Sequence, residues 1–396
     1  AVFIMAAIER IPAAILTAET VPAYLKARWS QIGCFAEDAV ITVAPILGGN
    51  VNYAFCATCE STGTSVFVKQ APEFVAIFGP DGLPLSSARM QLEVDIYDEW
   101  RAALGPELEA KFLPRIFHFD NVNMVFVMEF FGTCDLLEKQ LISTGTVGSI
   151  IAVGLGDFMG RTHAASFSKL VSPERAAALT TAFENRDMRD VQLEFVFTKC
   201  YAEAEAAAAL RADAAFMAEI EQLKTAYDGQ GGGGHSLTHG DLHPGSVMVD
   251  EAAGLVKIID PEFTVYGPPG LDVGSLLSGF ILAAIHHKFS GTAGAPASIR
   301  RGVAEVWEAY RQALNEEGGV GLVDVAAIEV ETVGYTLAEV CRTALGCAGG
   351  RVWLKFEDEA VQSAAVEVAM GIVQRGMVGR HVRGMSQLLD ELDSLV

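Results

Sequence analysis

The chain has 396 residues, 28 of them Lys or Arg against 50 Asp or Glu, for a formal net charge of -22. Its length suits two domains with sizeable cores, and its charge argues against nucleic acid or an anionic membrane as partner, since both reward basic patches. The same charge repels nucleotides, so any nucleotide site has to be corrected locally by Lys, backbone amides and metal ions. Seven cysteines are spread along the chain, and only Cys56 and Cys59 have CxxC spacing. On a strand those two face opposite sides, which disfavours a shared zinc. Free thiols fit a reducing cytosol, so a cytoplasmic protein is expected. The uncharged runs 140 to 156 and 273 to 287 contain Gly, Ser, Thr or His, and no transmembrane helix is expected. Residues 1 to 5 are apolar but too short for a signal sequence and read as a leader remnant.

From the N-terminus, the stretch from Thr17 to Leu25 has a Thr at a cap position, and Leu16, Val21, Tyr24 and Leu25 recur at helical spacing, which predicts an opening helix. The segment from Ile41 alternates around Gly48-Gly49-Asn50 and is followed by a strand over residues 65 to 71 that carries Lys69. Glycines allow backbone amides to approach phosphates, and Lys69 supplies a point charge. A Gly-Gly turn alone is also an ordinary hairpin, and it is Lys69 after Val-Phe-Val that favours the nucleotide reading. Ser86 or Ser87 is expected to cap a helix bearing Arg89 and Glu93. Glu93 is the natural partner of Lys69, the alternative being a solvated i,i+4 pair with Arg89.

The apolar strand over residues 122 to 131 ends in Glu129-Phe130-Phe131 before Gly132, where either an interdomain hinge or a plain strand edge is expected. Beyond it the periodicity turns helical, over 150 to 168 and over an Ala-rich 201 to 227. Residues 229 to 234 read as a flexible glycine loop with no Lys-Ser or Lys-Thr behind it, hence no phosphate cradle. Further helices are expected over 299 to 314, 325 to 345 and 358 to 373.

Two stretches carry the chemistry: His239-Gly-Asp-Leu-His-Pro-Gly-Ser-Val-Met-Val249, and Val256-Lys-Ile-Ile-Asp-Pro-Glu-Phe263 at the end of an apolar strand. Gly240, Pro244 and Gly245 disfavour a helix, so His235, His239 and His243 are not read as a zinc triplet, and His239 is expected to brace the loop. Asp241 in a tight loop, with Asp260 and Glu262 delivered by a strand, is what phosphoryl transfer requires: one carboxylate for the attacking hydroxyl, others for magnesium on the phosphates.

These stretches resemble the catalytic loop and metal site of the aminoglycoside phosphotransferase and choline kinase superfamily, and within it the methylthioribose kinases. In that family Asp-Pro-Glu replaces Asp-Phe-Gly, and a Ser stands where relatives place Asn, here Ser246. The resemblance implies an α+β, bilobal protein-kinase-like fold, with an antiparallel-sheet N-lobe over 1–131, a hinge at about 129–132, and a mainly helical C-lobe over 132–396. It implies ATP contacts from Gly48, Gly49, Asn50, Lys69 and Glu93, adenine binding at Glu129, Phe130 and Phe131, and ATP with Mg2+ at Asp260, Pro261 and Glu262, with Ser246 a further metal ligand. It also implies that Asp272 braces the catalytic loop, and that Arg342, beside Cys341 where the family has a second Arg, binds substrate. Leu83 stands where the family has Trp, and Leu83 or Tyr266 is a candidate to line an apolar pocket. The segment from Asn185 to Thr198 also resembles the family, with no chemistry assigned to it. The implied activity is phosphorylation of 5-methylthioribose at its 1-hydroxyl, a step of methionine salvage, by a possible homodimer. A kinase for another small alcohol and a catalytically dead kinase-fold binding protein are the alternatives.

Overall fold

The computed structural model describes residues 14–229, 234–319, 321–348 and 350–396. The expected leader and most of the expected glycine loop lie outside them. The chain forms two compact units, one comprising residues up to Val94 with Pro114–Gly132, the other Asp95–Leu113 with Thr133–Val396. A single division at 131/132 therefore misses residues 95 to 113, which belong with the second unit. They form the later part of one long helix, and its sequence gives no sign of changing allegiance.

The first unit is a five-stranded antiparallel sheet in the order β1-β2-β3-β5-β4, built from β1 (Ile41–Pro45), β2 (Tyr53–Cys59), β3 (Ser65–Gln70), β4 (Ile116–Asp120) and β5 (Val125–Glu129). Phe55, Ala57 and Cys59 of β2 are buried while Cys56 is only partly so, and this alternation places the two cysteines on opposite faces as their spacing predicts. Short helices α1 (Val21–Lys26) and α2 (Trp29–Ile32) join the core through Val21, Leu25 and Ile32 against Ile41, Val66, Val68 and Val127. Thr20 occupies the N-cap of α1, and the Thr17 amide donates to the Thr20 hydroxyl at 2.8 Å. Helix α3 (Arg89–Phe112) is interrupted at Gly105, whose φ of +71° suits glycine, and Pro106 follows.

The second unit contains β6 (Asp135–Leu136), α4 (Leu137–Thr144), α5 (Ser149–Ser166), α6 (Pro173–Ala182) and α7 (Arg186–Phe195). The Ala-rich stretch expected to be one helix is instead α8 (Lys199–Glu203), α9 (Ala208–Ala212) and α10 (Ala214–Tyr227). Asp213 accepts from the Ala215 and Phe216 amides and so starts a new helix, overriding the propensity of the alanines around it. Four short strands follow, β7 (Ser236–Thr238), β8 (Val247–Asp250), β9 (Leu255–Ile258) and β10 (Val265–Gly267), then α11 (Gly270–Ser290), α12 (Ala295–Gly318), α13 (Val325–Ala344), α14 (Glu359–Arg383) and α15 (Met385–Asp393).

The last four helices include the three expected: α12 extends beyond 299 to 314 at both ends, α13 stops one residue short of 345, and α14 continues well past 373, to Arg383. Helix α11 is apolar and long enough to cross a bilayer, yet 94% of its apolar window is buried inside the protein. Its Gly274 lies so close to α13 that a Cβ there would be 2.8 Å from the Thr332 carbonyl oxygen.

Candidate functional site

In the first unit, β3 presents Lys69 to Glu93 near the start of α3. Their Nζ and Oε2 are 2.7 Å apart, and the residues are only 5% and 1% exposed. Burial of this kind makes each charge depend on the other. Arg89 lies four residues before Glu93. Its guanidinium donates to the carbonyls of Pro72, Ser86 and Val51 and to Asn52 Oδ1, tying the segment after the glycine turn to the start of α3. At that turn Gly48 has φ +118°, and a Cβ at Gly48 or Gly49 would meet nothing within 4 Å. Asn50 accepts the Ile77 amide through its carbonyl at 2.9 Å. Strand β5 stops at Glu129, whose amide donates to the Arg115 carbonyl, and Phe130 and Phe131 follow half-buried. Leu83 is 43% exposed.

In the second unit, the two chemistry-bearing stretches are loops that join paired strands. Residues 239 to 246 link β7 to β8, and residues 259 to 264 link β9 to β10. Antiparallel pairing of β7 with β10 (Thr238 opposite Val265) and of β8 with β9 (Val247 opposite Ile258) forces the loops together. The Ile259 amide donates to the Ser246 carbonyl at 3.0 Å, and the Thr264 hydroxyl to the Thr238 carbonyl at 2.8 Å. Gly240 has φ +86°, and a Cβ on it would fall 1.9 Å from the Phe263 carbonyl oxygen, so only glycine permits this approach.

His239 is the brace its position predicts. Its Nε2 donates to the Ile259 carbonyl at 2.9 Å and its Nδ1 accepts the Asp241 amide at 3.3 Å, the pattern of a neutral imidazole. Trp100 stacks on the ring at a centroid distance of 6.1 Å. Asp272 lies in the first turn of α11. Its buried carboxylate does not cap that helix but accepts the His239 and Gly240 amides at 2.7 and 2.9 Å, and His163 Nε2 lies 3.2 Å from it.

The Asp241 side chain is 30% exposed and has His243 Nε2 at 3.8 Å. Because His243 Nδ1 accepts the Gly245 amide, a neutral His243 carries its proton on Nε2, toward Asp241. Desolvation pushes that imidazole below its usual range, while the Asp241 carboxylate pulls the other way. Ser246 Oγ donates to the Asp241 carbonyl at 3.0 Å, so the hydroxyl already serves the loop.

Asp260 is exposed and Glu262 buried, and their carboxylate oxygens come within 4.8 Å of each other. Two hard oxygen donors at this spacing fit a magnesium ion. Asp260 adopts φ +65°, a conformation that residues other than glycine rarely take and that marks functional loops.

On α13, Arg342 donates to Glu339 at 2.7 Å, and Arg351 reaches the same carboxylate at 2.8 Å. Desolvation pushes the Glu339 carboxyl up, but the two guanidinium groups win and hold it at about 2. Asp241 is close enough to add to the charge stabilisation of Arg342. Tyr266 does not line an open pocket. It is 4% exposed and its hydroxyl donates to the Ser166 carbonyl at 3.0 Å.

Several residues escaped the sequence reading. His163, Glu339 and Arg351 lie far along the chain from the loops, and no motif marks them. Asn185 and Gln192 had a signal, since they fall in a segment resembling the methylthioribose kinases, but nothing in it named a contact.

The profile of the phosphotransferase enzyme family matches residues 62–315. A methylthioribose kinase of Bacillus pumilus is 26% identical, over 80% of this chain and 82% of its own. One from Escherichia coli is 29% identical over 68% of this chain, which spans only 64% of that relative's length. A solved glucosamine kinase, in complex with glucosamine, ADP and inorganic phosphate, shares the fold, with a TM-score of 0.55 at 14% identity over 91% of this chain and 87% of that one. The loops around Asp241 and Asp260 fall inside the matched residues, and the chain belongs to the phosphotransferase enzyme family.

Proposed function

We propose that this phosphotransferase moves the γ-phosphoryl group of ATP to the 1-hydroxyl of 5-methylthioribose. The hydrogen bonding of the Asp241 loop to the Asp260-Pro261-Glu262 loop supports this reading, because phosphoryl transfer needs a base near metal-binding carboxylates. The choice of acceptor draws on the methylthioribose kinases among its relatives. Such a step belongs to methionine salvage.

Asp241 orients the acceptor hydroxyl and takes its proton as the oxygen attacks phosphorus, a role typically worth about 10²- to 10⁴-fold in rate. Asp260 and Glu262 hold magnesium, with the Ser246 oxygen as a weaker neutral addition. The ion supplies charge neutralisation on the phosphate oxygens. Lys69, paired with Glu93, engages the nucleotide phosphates, the amides of Gly48, Gly49 and Asn50 cover them, and the backbone from Glu129 to Phe131 receives adenine. Arg342 faces the sugar.

ATP consumption with and without 5-methylthioribose tests the assignment. Acceptor-dependent turnover is expected from the wild type and a loss of about 10²-fold or more from Asp241→Asn; equal rates with and without the sugar refute it.

A second acceptor, another small sugar or amino alcohol, is favoured by one observation: Arg351 from a different segment shares Glu339 with Arg342, while position 341 is an uncharged Cys. A panel of small alcohols separates the two readings.

A further inference from the structure

Helix α7 and the residue before it take no part in the chemistry above, yet they touch both working loops. Asn185 is buried, and its amide Nδ2 donates to the carbonyls of Glu262 and Thr264, each at 2.9 Å. Two turns along, Gln192 Nε2 donates to the Gly240 carbonyl at 2.7 Å. Arg189 anchors the helix between them, donating to the carbonyls of Tyr227 and Tyr266.

Asn185 occupies the N-cap position, where its side chain would ordinarily satisfy its own helix, but it makes no capping bond. Its backbone is left-handed, φ +44° and ψ +50°, a region that Asn tolerates better than most residues. Both protons of one NH2 group are therefore spent on the two carbonyls that bracket Phe263. Buried carbonyls lose stability when left without donors, so this pair resists rotation. Asp260, four residues before Thr264, also holds a left-handed conformation, one that Asp visits more readily than most residues but that is still uncommon outside glycine.

We propose that Asn185 is a positioning residue that locks the turn from Asp260 to Thr264 so that the Asp260 and Glu262 carboxylates converge on one divalent cation. Gln192 does the corresponding work for the catalytic loop alone. The inference rests on reading Asp260 and Glu262 as metal ligands, and the test separates the two.

Asn185→Gly keeps the left-handed backbone and deletes the amide, and Asn185→Asp keeps the shape but turns both donors into acceptors facing carbonyls. Mn2+ binding in the presence of ADP, followed by electron paramagnetic resonance, is the primary readout. The magnesium concentration for half-maximal turnover and the thermal midpoint accompany it. Residues that support metal ligands typically change metal affinity by about 10- to 100-fold, so both variants are expected to weaken Mn2+ by about tenfold or more, Asp more than Gly. Gln192→Met is expected to lower kcat with Mn2+ affinity unchanged.

Mn2+ affinities within about twofold of wild type in either folded Asn185 variant overturn the proposal. Failure of both to fold also overturns it, since the residue then serves stability first. If wild type itself binds no Mn2+, the ligand assignment falls, and the inference falls with it.

Discussion

The two units hold their charged groups in opposite ways. In the sheet unit, Lys69 is held through its side chain, by the opposing charge of Glu93 at 2.7 Å. In the helical unit, the carboxylates of Asp241, Asp260 and Glu262 are aimed through their main chain, which Asp272, His239, Asn185 and Gln192 grip at carbonyls and amides. A buried side chain held by an opposing charge fails at once when that charge goes. A side chain aimed by its backbone degrades by degrees.

The largest test of that contrast is Glu93→Ala, which removes the opposing charge 2.7 Å from a buried ammonium. Breaking a buried pair in this way typically costs about 3–5 kcal/mol, to be read from urea unfolding, and the double change Lys69→Met with Glu93→Leu is expected to recover most of it. A loss below about 1 kcal/mol, the range of surface pairs, breaks the comparison.

Next comes the place where the helical unit borrows the other strategy. Glu339 has a folded-state carboxyl at about 2 against an ordinary 4.5, held down by Arg342 and Arg351. A lowered folded value means that the stabilisation is complete above the ordinary value and disappears as pH falls through the folded one. On the order of 3 kcal/mol is therefore expected to vanish between about pH 4.5 and 2. Glu339→Gln should flatten that part of the stability profile, and an unchanged profile removes the ion cluster from the account.

The smallest effect sharpens the backbone side. Asp272→Asn places an NH2 against one of two amide donors, and kcat is expected to fall about tenfold, equivalent to 1.4 kcal/mol, with the acceptor KM little moved. A drop confined to KM argues against the brace.

Much of this was legible in the sequence. Alternation in β2 and β3 found the sheet and put Lys69 on it, and the glycines and prolines around Asp241 excluded a helix. Asp272 was found only through resemblance, and the structure supplies its physical reason. The contacts of Asn185 stayed hidden because a carbonyl has no sequence identity, and His163 because its partner Asp272 stands 109 positions away. Asn185 binds main chain 77 and 79 positions away, and any residues at 262 and 264 would have offered the same oxygen. The Ala-rich stretch misled for the opposite reason: local propensity was uniform, and one cap at Asp213 divided it.

The apolar helix α11 has a consequence for biosynthesis. Its close neighbour α13, which covers it at Gly270 and Gly274, is synthesised later. At about 5–20 residues per second, α11 leaves the ribosome seconds before that cover exists. A truncation ahead of α13 would leave it uncovered, a substrate for chaperones and a seed for aggregates.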